Sequence, residues 1–525
     1  MISGEHRRAW TRAVVVTALV VTAAAVPTAA SADEHRPRGW SGWAGDAQHT
    51  GQAPASPQPL HRIRWKVKVD RDPSPPQGEV LGIHYGSPMV TPHDTVVVPT
   101  KRAGGAGFAV VAYAGKDGAR RWALTTDYVS PPTFEWTPPL PATLTRHGDL
   151  VVAGAGGTIL VRSKADRRQG SVTRRSFYGV RAFRRSPAAY RDAVHVTTPI
   201  TAADDGSVYF GVGVSGDTPK HLAAGIARVD DHGRARFVTA AAAVRAPSGV
   251  TDARVPLNAA PALSPDGRTV YVPVVWTDPT SFASLSSLVA LDARTLRPLR
   301  LAALKDPDSG EPVFISESSS ASPTVGPDGD VYFGVLENPF PFHNDRGWLL
   351  HFDGTLRHRK IPGSFGWDNT VSVLPARSLP AYHGKAPYLL VSKDNNYDGF
   401  PTGDGHNRVS VFDPTASRRD PYAQNGVART MKPVVSVLGP TQFPGATRGS
   451  VYEWCINNAA TDARTATVVA NSEDGKLYLW DLRRNRISQS IRLNPPRPEA
   501  YTPTVIGPDG TVYAINDSTL YAVGR

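Results

Sequence analysis

The stretch Ser264-Pro-Asp-Gly-Arg-Thr-Val-Tyr271 decides the fold, because the sequence repeats it as Gly326-Pro-Asp-Gly-Asp-Val-Tyr332 and Gly507-Pro-Asp-Gly-Thr-Val-Tyr513. The Asp-Gly pair supplies the positive φ that a tight hairpin turn needs. The β-branched and aromatic residues that follow favour a strand. Each stretch therefore predicts a hairpin whose second strand contains the Val-Tyr pair.

The hairpins belong to longer units that repeat at about 60 residues. Two weaker units start near Thr370 and Asn458, and a proline opens each of the others. The opening prolines are Pro88, Pro139, Pro199, Pro261, Pro323 and Pro503. Short strands with regular turns at a long fixed period are typical of a propeller. The sequence therefore predicts an all-β fold, a β-propeller of eight four-stranded blades.

The two ends of the propeller domain, residues 61–525, complement each other. The last unit has only three strand-like runs before Arg525, whereas the run from Ile63 to Val69 is a strand without a unit. Pairing of this run with the C-terminal blade would close the ring and remove two sheet edges. Residues 33–60, a Pro/Gly-rich segment, are expected to wrap the outside of the domain or to stay mobile.

Residues 1–32 have the three parts of a secretory signal peptide. Arg7, Arg8 and Arg12 form the positive region, an apolar run covers 13–26, and Ala30-Ser-Ala32 is a cleavage site. The apolar run is short for a membrane span, although a short anchor is the alternative interpretation. We therefore expect a secreted, extracellular protein whose mature chain has no membrane span and is a monomer.

Three segments resemble the quinoprotein-type propeller family, the fold of the PQQ-dependent dehydrogenases. They are Trp43-Ala-Gly-Asp-Ala-Gln-His-Thr-Gly51, Ala112-Tyr-Ala-Gly-Lys-Asp-Gly-Ala-Arg-Arg-Trp122 and Val468-Val-Ala-Asn-Ser-Glu-Asp-Gly-Lys-Leu-Tyr-Leu-Trp-Asp481. Gly118 and Trp122 stand in the family's docking positions. The stretch from Trp367 to Trp480 also resembles a group of secreted bacterial propellers to which no activity is firmly attached. The resemblance implies the fold and raises PQQ as a cofactor, but most units lack the docking pair and no specific residue supports PQQ binding.

A basic stretch from Arg162 to Asp192 holds ten Lys or Arg residues against two Asp. Four aromatic residues interleave with it: Phe177, Tyr178, Phe183 and Tyr190. Clustered cations with aromatic residues suit a polyanion, such as extracellular DNA or an acidic glycan. The predicted polyanion-binding residues are Arg174, Arg175, Arg184 and Arg185. The alternative is a solvated outer strand with long basic side chains.

A second candidate site is the loop Asp394-Asn-Asn-Tyr-Asp-Gly399. Oxygen donors at positions 1, 3 and 5, followed by Gly at position 6, resemble the start of a calcium loop. The Glu expected at position 12 is absent, and Asp404 precedes the Gly in that place. The predicted ligands of a structural calcium ion are therefore Asp394, Asn396, Asp398 and Asp404. An ordinary polar turn is the alternative.

These observations favour a secreted, non-catalytic propeller that binds an unknown protein or an anionic polymer at the cell surface or outside the cell. The His-Glu-x-x-His, Gly-x-Ser-x-Gly and Cys-x-x-Cys signatures are absent, and Cys455 is the only cysteine. The alternative function is a PQQ-dependent oxidoreductase, which requires an Arg, a calcium carboxylate and an aromatic platform to converge at the channel. A WD-repeat-like scaffold, suggested by Trp480-Asp481, is a third possibility.

Overall fold

The computed structural model describes residues 39–73, 85–131, 140–316, 321–446, 449–497 and 504–525. In these residues 32 strands form eight antiparallel sheets, which are the blades of a ring. The predicted all-β propeller of eight blades is therefore confirmed. The signal peptide, residues 1–32, and two of the predicted opening prolines, Pro139 and Pro503, lie outside the described residues.

The strands of each blade are given from the axis outward. Blade 1 contains β2 (Met89–Val90), β3 (Thr95–Lys101), β4 (Phe108–Ala114) and β5 (Arg120–Thr126). Blade 2 contains β6 (Ala142–Leu144), β7 (Leu150–Ala153), β8 (Thr158–Arg162) and β9 (Val172–Ser176). Blade 3 contains β11 (Thr201–Ala202), β12 (Val208–Val214), β13 (Gly225–Val229) and β14 (Ala235–Thr239), and an extra strand, β10 (Val194–Val196), also pairs with β12. Blade 4 contains β15 (Ala262–Leu263), β16 (Thr269–Thr277), β17 (Ser284–Asp292) and β18 (Pro298–Ala303).

The second half of the ring follows the same plan. Blade 5 contains β19 (Thr324–Val325), β20 (Val331–Val335) and β21 (Trp348–Phe352), and its outermost strand is reduced to two isolated bridges. Blade 6 contains β22 (Ser372–Pro375), β23 (Tyr388–Asp394), β24 (Arg408–Arg419) and β25 (Arg429–Leu438). Blade 7 contains β26 (Ala460–Asp462), β27 (Thr467–Asn471), β28 (Lys476–Asp481) and β29 (Arg486–Arg492). Blade 8 contains β30 (Thr504–Ile506), β31 (Val512–Asn516), β32 (Thr519–Gly524) and β1 (Arg62–Lys68).

Three short helices lie in the connections between blades. They are α1 (Val180–Arg185), α2 (Pro187–Arg191) and α3 (Ala240–Val244). The first two follow β9, and the third follows β14. No helix in the described part is long and apolar enough to cross a membrane.

The tyrosine of the repeated turn-and-strand pattern links four of the blades to the next blade. In four blades its hydroxyl group lies within hydrogen-bond distance of an oxygen on the next blade. The pairs are Tyr209 with Ala293 O at 2.8 Å, Tyr271 with Gly354 O at 2.7 Å, Tyr332 with Tyr388 Oη at 2.6 Å, and Tyr513 with Asp94 Oδ1 at 3.3 Å. A buried phenol needs such a partner, which explains why the pattern keeps its tyrosine.

The predicted closure of the ring is confirmed. Strand β1 pairs antiparallel with β32, from Arg62 opposite Gly524 to Lys68 opposite Thr519. Trp65, which the sequence analysis did not single out, packs on the turn of blade 1. A Cβ atom at Gly118 would lie 2.8 Å from its ring. Trp122 makes the equivalent contact one blade on, where its Nε1 donates to Ala165 O at 2.8 Å.

The expectation for residues 33–60 was wrong for residues 39–53. Residues 39–53, here called the axial segment, run along the inner edges of the first strands. The backbone N–H groups of these strands donate to the segment in five blades: Leu144 to Ser41 O, Leu263 to Ala47 O, Val325 to Gln48 O, Val373 to Thr50 O and Thr461 to Gly51 O, at 2.7–2.9 Å. Trp40 pairs with Val90 of blade 1 in the same way. An unpaired strand edge exposes backbone donors, so these bonds give the axial segment its place.

Candidate functional site

The ring has two different faces because neighbouring strands alternate in direction. The turns between first and second strands, and between third and fourth strands, lie on one side, here called the turn face. The loops between second and third strands and the connections to the next blade lie on the other side, the loop face. The axial segment bonds to Val90, Leu144, Leu263 and Val325, the last residues of their strands, so it lies toward the turn face.

The axial segment is held by buried polar side chains. Asp46 accepts hydrogen bonds from the backbone N–H groups of Gln48 and Thr50 at 3.1 and 3.0 Å, and burial raises its pKa. His49 Nδ1 donates to Pro323 O at 2.7 Å, and its Nε2 accepts from the Thr201 hydroxyl at 3.4 Å. Burial lowers the pKa of His49 to about 4, which keeps the ring neutral. This part of the axis is therefore filled by ordered protein.

The loop face carries an unusual number of exposed aromatic side chains. Among the described residues, every exposed Phe lies there, on the loops and connections of blades 4 to 7. These are Phe282 at 81% exposure and Phe314, Phe340, Phe342 and Phe443 at 42–51%. Large apolar side chains grouped on one face mark an interaction surface more often than isolated ones do. We call these five residues the phenylalanine face.

A cluster of titratable groups lies beside the phenylalanine face. Asp345 follows Phe342 on the loop of blade 5, Tyr397 lies on the loop of blade 6, and Glu453 precedes the first strand of blade 7. All three side chains keep some exposure to solvent, as does Cys455. These four residues, together with the buried Lys393, are here called the acidic recess.

Electrostatics in the acidic recess disfavour its negative charges. Burial, together with the neighbouring carboxylates Glu337 and Glu453, raises the pKa of Asp345 to about 7. Burial also raises the pKa of Glu453 to about 7, although Lys393 opposes the shift. The ammonium group of Lys393 lies 3.3 Å from Asp368. Shifted pKa values of this kind cluster at functional sites, so the acidic recess is a candidate for binding.

Cys455 does not behave as a reactive thiol. Burial, together with the nearby Glu473, raises the pKa of the Cys455 thiol well above its usual value. A nucleophilic cysteine requires a lowered pKa, which normally comes from a neighbouring cation. These surroundings fit a packed, unreactive side chain.

An Arg, a carboxylate and aromatic rings do converge between blades 5 and 6. The guanidinium of Arg346 lies over the rings of Tyr422 and Phe365, at 4.1 and 5.5 Å, and bonds to Asp394 Oδ1 at 2.5 Å. It also donates to the carbonyl oxygens of Ser364 and Asn395, and its side chain is 0% exposed. This group is fully engaged inside the protein. It therefore does not fit the role of holding the carboxylates and quinone of PQQ.

The side-chain oxygens of the four predicted calcium ligands do not converge on one free site, because most of them are hydrogen-bonded to other residues. Asp394 is bonded to Arg346 and, through Oδ2, accepts from Ser410 at 2.7 Å. Asp398 accepts from Ser450 at 2.8 Å, whereas Asp404 accepts from the Asn396 amide at 2.8 Å. No group of three acidic, His or Cys side chains suited to a metal ion occurs in the described part of the chain. Calcium binding at this loop stays a prediction.

The predicted polyanion residues divide into two pairs. Arg174 bonds to Asp127 at 2.8 Å, and Arg175 donates to the carbonyl oxygens of Asp230 and Asp231 on blade 3. These two arginines are half-buried and link structural elements. Arg184 and Arg185 lie exposed on α1, with no side-chain acceptor among the described residues.

The aromatic residues of the basic stretch serve the core. Phe177, Tyr178, Phe183 and Tyr190 are all buried between blades 2 and 3. They therefore cannot stack on a polymer at the surface, which corrects that part of the polyanion hypothesis. The exposed cations of the stretch remain, and they are Lys164, Arg167, Arg168, Arg181, Arg184, Arg185 and Arg191.

Sequence reasoning missed the acidic recess and the phenylalanine face. Their members are spread from Phe282 to Cys455, so no local motif connects them. One signal was present: loops between predicted strands repeatedly contain Phe, as in the run Asn338-Pro-Phe-Pro-Phe342. An apolar residue in a predicted surface loop is informative because loops are mostly polar.

The sequence matches no family model and no curated protein. Among solved structures, the chain is similar to the quinohemoprotein alcohol dehydrogenase from Comamonas testosteroni, with a TM-score of 0.53 and 12% identity over 94% of this chain and 82% of that chain. For a quinohemoprotein alcohol dehydrogenase from Pseudomonas putida HK5 the TM-score is 0.49, with 12% identity over 93% of this chain and 76% of that chain. For BamB from Moraxella catarrhalis the TM-score is 0.44, with 12% identity over 88% of this chain and 97% of that chain. At these identities the likeness shows the PQQ-like propeller fold alone.

Proposed function

We propose that this chain is an exported, non-catalytic propeller that binds a partner protein on its loop face. The phenylalanine face is the observation that carries the proposal, because Phe282, Phe314, Phe340, Phe342 and Phe443 all point away from the core on one side of the ring. Aromatic side chains dominate the energetics of protein interfaces and are enriched at their centres.

The acidic recess indicates which partner chemistry suits this face. Asp345 and Glu453 share a partly buried site with a single nearby ammonium group, that of Lys393. A basic side chain of the partner would let both carboxyl groups ionise, since an opposite charge favours the charged form. The proposed partner therefore presents an apolar segment that contains a Lys or Arg.

The filled axis supports a binding role over a redox role. The axial segment occupies the turn-face side of the channel, and Arg346 is enclosed by its own blades. The alternative function, a PQQ-dependent oxidoreductase, has the likeness of fold to the quinohemoprotein alcohol dehydrogenase as its support. Addition of PQQ and calcium to the purified protein tests this alternative. A bound-cofactor spectrum with dye reduction by simple alcohols or sugars would overturn the non-catalytic proposal.

Site-specific photo-crosslinking in the producing cells tests the partner. Phe342 and Phe282 are each replaced by the photoreactive amino acid benzoylphenylalanine, which preserves an aromatic side chain. Val172 and Leu299, exposed at 47% and 40% at the turn-face ends of their blades, are the matched control positions. We expect a discrete protein adduct from the two Phe positions and none from the controls.

Two outcomes would contradict the proposal. Identical adducts from all four positions would indicate non-specific contact, and adducts with lipid alone would make the loop face a membrane-contacting surface. Asp345→Asn combined with Glu453→Gln should reduce the specific adduct, because the recess then no longer attracts a basic residue. An unchanged adduct in this double variant would remove the recess from the proposal.

A further inference from the structure

The seam where the ring closes contains an unexplained cleft. Two adjoining cavities, of about 750 and 380 Å³, lie between blade 8 and blade 1 and share Arg71, Tyr113 and Arg120. Together we call them the closure cleft. Their volumes fall within the range of small-molecule sites, about 300–1,000 Å³.

The larger cavity has more positive than negative side chains. Its lining includes Lys68, Arg71, Arg120 and Arg497, against two carboxylates, those of Asp70 and Asp517. Arg497 pairs with Asp517 at 3.4 Å. Arg71 and Arg120 are exposed, and neither has a side-chain acceptor among the described residues. The cleft therefore offers two guanidinium groups to an anion, the geometry that suits a carboxylate.

Asp70 supplies the second observation, which is independent of the cations. Its side chain is 3% exposed, and Oδ2 has no hydrogen-bond donor. The other oxygen, Oδ1, accepts from the Asp72 N–H at 2.8 Å. A buried carboxylate oxygen without a donor costs free energy, and such an atom in a native structure calls for an explanation. A hydroxyl group entering the larger cavity would provide the donor.

The floor of the smaller cavity suits a flat, weakly polar ligand surface. Ala109, Val111 and Ala123 present small side chains from β4 and β5. Tyr113 lines both cavities, but its ring is buried, at 8% exposure, and packs against Trp65. Carbohydrate rings have such apolar faces together with hydroxyl donors at their edges.

We propose that the closure cleft binds an acidic sugar, a hexuronate residue of a glycan chain. Its carboxylate bonds to Arg71 and Arg120, one ring hydroxyl donates to Asp70, and the sugar face lies over the small side chains of the smaller cavity. A neutral sugar would leave the two arginines without an acceptor, and a simple anion would leave Asp70 without a donor. Recognition thus requires both chemical groups in one molecule. The site is separate from the phenylalanine face and does not depend on a protein partner.

Isothermal titration of the full chain with a galacturonate trimer tests the site, with a neutral galactose trimer and inorganic phosphate as comparators. We expect the galacturonate trimer alone to bind with a measurable Kd. Arg71→Gln with Arg120→Gln should raise that Kd by roughly 10- to 100-fold, since charged hydrogen bonds are lost. The matched control is Arg184→Gln with Arg185→Gln, which removes two equally exposed charges and should leave the Kd unchanged.

Asp70 provides a second measurement that separates recognition from general electrostatics. Asp70→Ala removes a negative charge, so a purely electrostatic site would bind the trimer more tightly. The proposal expects weaker binding, because the hydroxyl acceptor is lost. Tighter binding by this variant, equal losses in both arginine pairs, equal binding of the galactose trimer, or no binding by the wild-type chain would each overturn the proposal. None of these outcomes bears on the loop-face crosslinks or on dye reduction.

Discussion

Nε1 of Trp65 donates a hydrogen bond to the carbonyl oxygen of Gly115 at 2.8 Å, across the seam where the last blade meets the first. Trp122 repeats the bond one blade further on, with Ala165 O at the same distance. The N-terminal strand therefore closes the ring with the same device that joins blades 1 and 2. Closure depends on side-chain docking as well as on the backbone ladder of β1.

Trp65→Ala should destabilise the whole domain. The substitution removes a buried ring that contacts Tyr113 and Tyr513, at centroid distances of 6.0 and 5.8 Å. Losses of this kind cost about 3–5 kcal/mol. Chemical unfolding followed by tryptophan fluorescence and circular dichroism measures the effect. Lys66→Ala, at an exposed position on the same strand, is the control and should change the unfolding free energy little. Equal stability of the two variants would contradict side-chain closure.

Gly51→Ala should show how tightly the axial segment fits the ring. Gly51 has φ +64°, and a Cβ atom there would lie 2.6 Å from both Asn458 Nδ2 and Ser372 Oγ. Gly104 has the same φ, with nothing within 4 Å of its Cβ position. Gly104→Ala therefore pays only the left-handed backbone penalty of about 1–2 kcal/mol. We expect the Gly51 variant to lose clearly more stability in thermal unfolding, and equal losses would mean that the axial segment can move aside.

His49 should make the stability of the domain sensitive to acid. Its pKa is lowered from 6.5 to about 4 in the folded protein, so the unfolded chain binds the extra proton first as the pH falls. The contribution of neutral His49 is complete above pH 6.5 and is lost between pH 6.5 and about 4. A shift of this size corresponds to roughly 3 kcal/mol.

Unfolding free energies of wild type and His49→Gln across this pH range isolate the effect. The difference between the two proteins should shrink as the pH falls, because only the wild type loses the histidine contribution. Asp46 titrates in both proteins, and its raised pKa acts in the opposite direction, so it cancels from the comparison. A difference that does not change with pH would show that His49 is not buried as a neutral ring.

Arg184 and Arg185 should account for polyanion binding if the basic stretch binds any. Binding driven by counterion release weakens linearly in log[salt], with a slope of roughly 0.9 per phosphate contact on duplex DNA. Arg184→Ser with Arg185→Ser should therefore lower that slope by about 2. Arg174→Ser with Arg175→Ser should instead lower the melting temperature, because these side chains bond to Asp127 and to blade 3. If the Arg184/Arg185 variant and the wild type are retained equally on a heparin column, the basic stretch does not bind polyanions through these residues and is a solvated surface.

Calcium should raise the melting temperature if it binds the loop from Asp394 to Gly399, which requires Asp394 to exchange its present partners. Asp394 already faces the guanidinium of Arg346 and the Ser410 hydroxyl, so its oxygens are engaged. Thermal unfolding in about 5 mM calcium, above the weakest affinity of extracellular sites, is compared with unfolding in a chelator. A calcium-dependent rise that disappears in Asp398→Asn with Asp404→Asn would support the calcium hypothesis, and an unchanged melting temperature would make the loop an ordinary polar turn.

The blades could be predicted from the sequence because the motifs that specify their turns and strands are short and local. Asp-Gly turns and Val-Tyr strands are read within eight residues, as at Ser264–Tyr271, and the period follows from counting. Closure by the run from Ile63 to Val69 could also be predicted, since a missing strand and an extra strand imply each other. The role of Trp65 escaped prediction because its partner, the turn at Gly118, is distant in sequence.

The axial segment and the candidate sites required the structure. Pro and Gly in residues 33–60 suggested an irregular surface segment, yet the inner strand edges supply backbone partners that composition does not reveal. Arg174 and Arg184 look alike in the sequence, but one is half-buried beside Asp127 and the other is exposed. Asp70, Arg71 and Arg120 meet only because blade 8 is completed from the N-terminus.

The pairing of Arg62–Lys68 with Thr519–Gly524 also sets the order of events during synthesis. The partner of β1 leaves the ribosome after all the other described strands, so the N-terminal strand waits until the other seven blades have been synthesised. The axial segment waits as well, because its partners are distributed over blades 1 to 7. Pairings between distant parts of a chain slow folding and prolong the exposure of unpaired edges. The ring of a nascent chain therefore stays open until blade 8 has been synthesised.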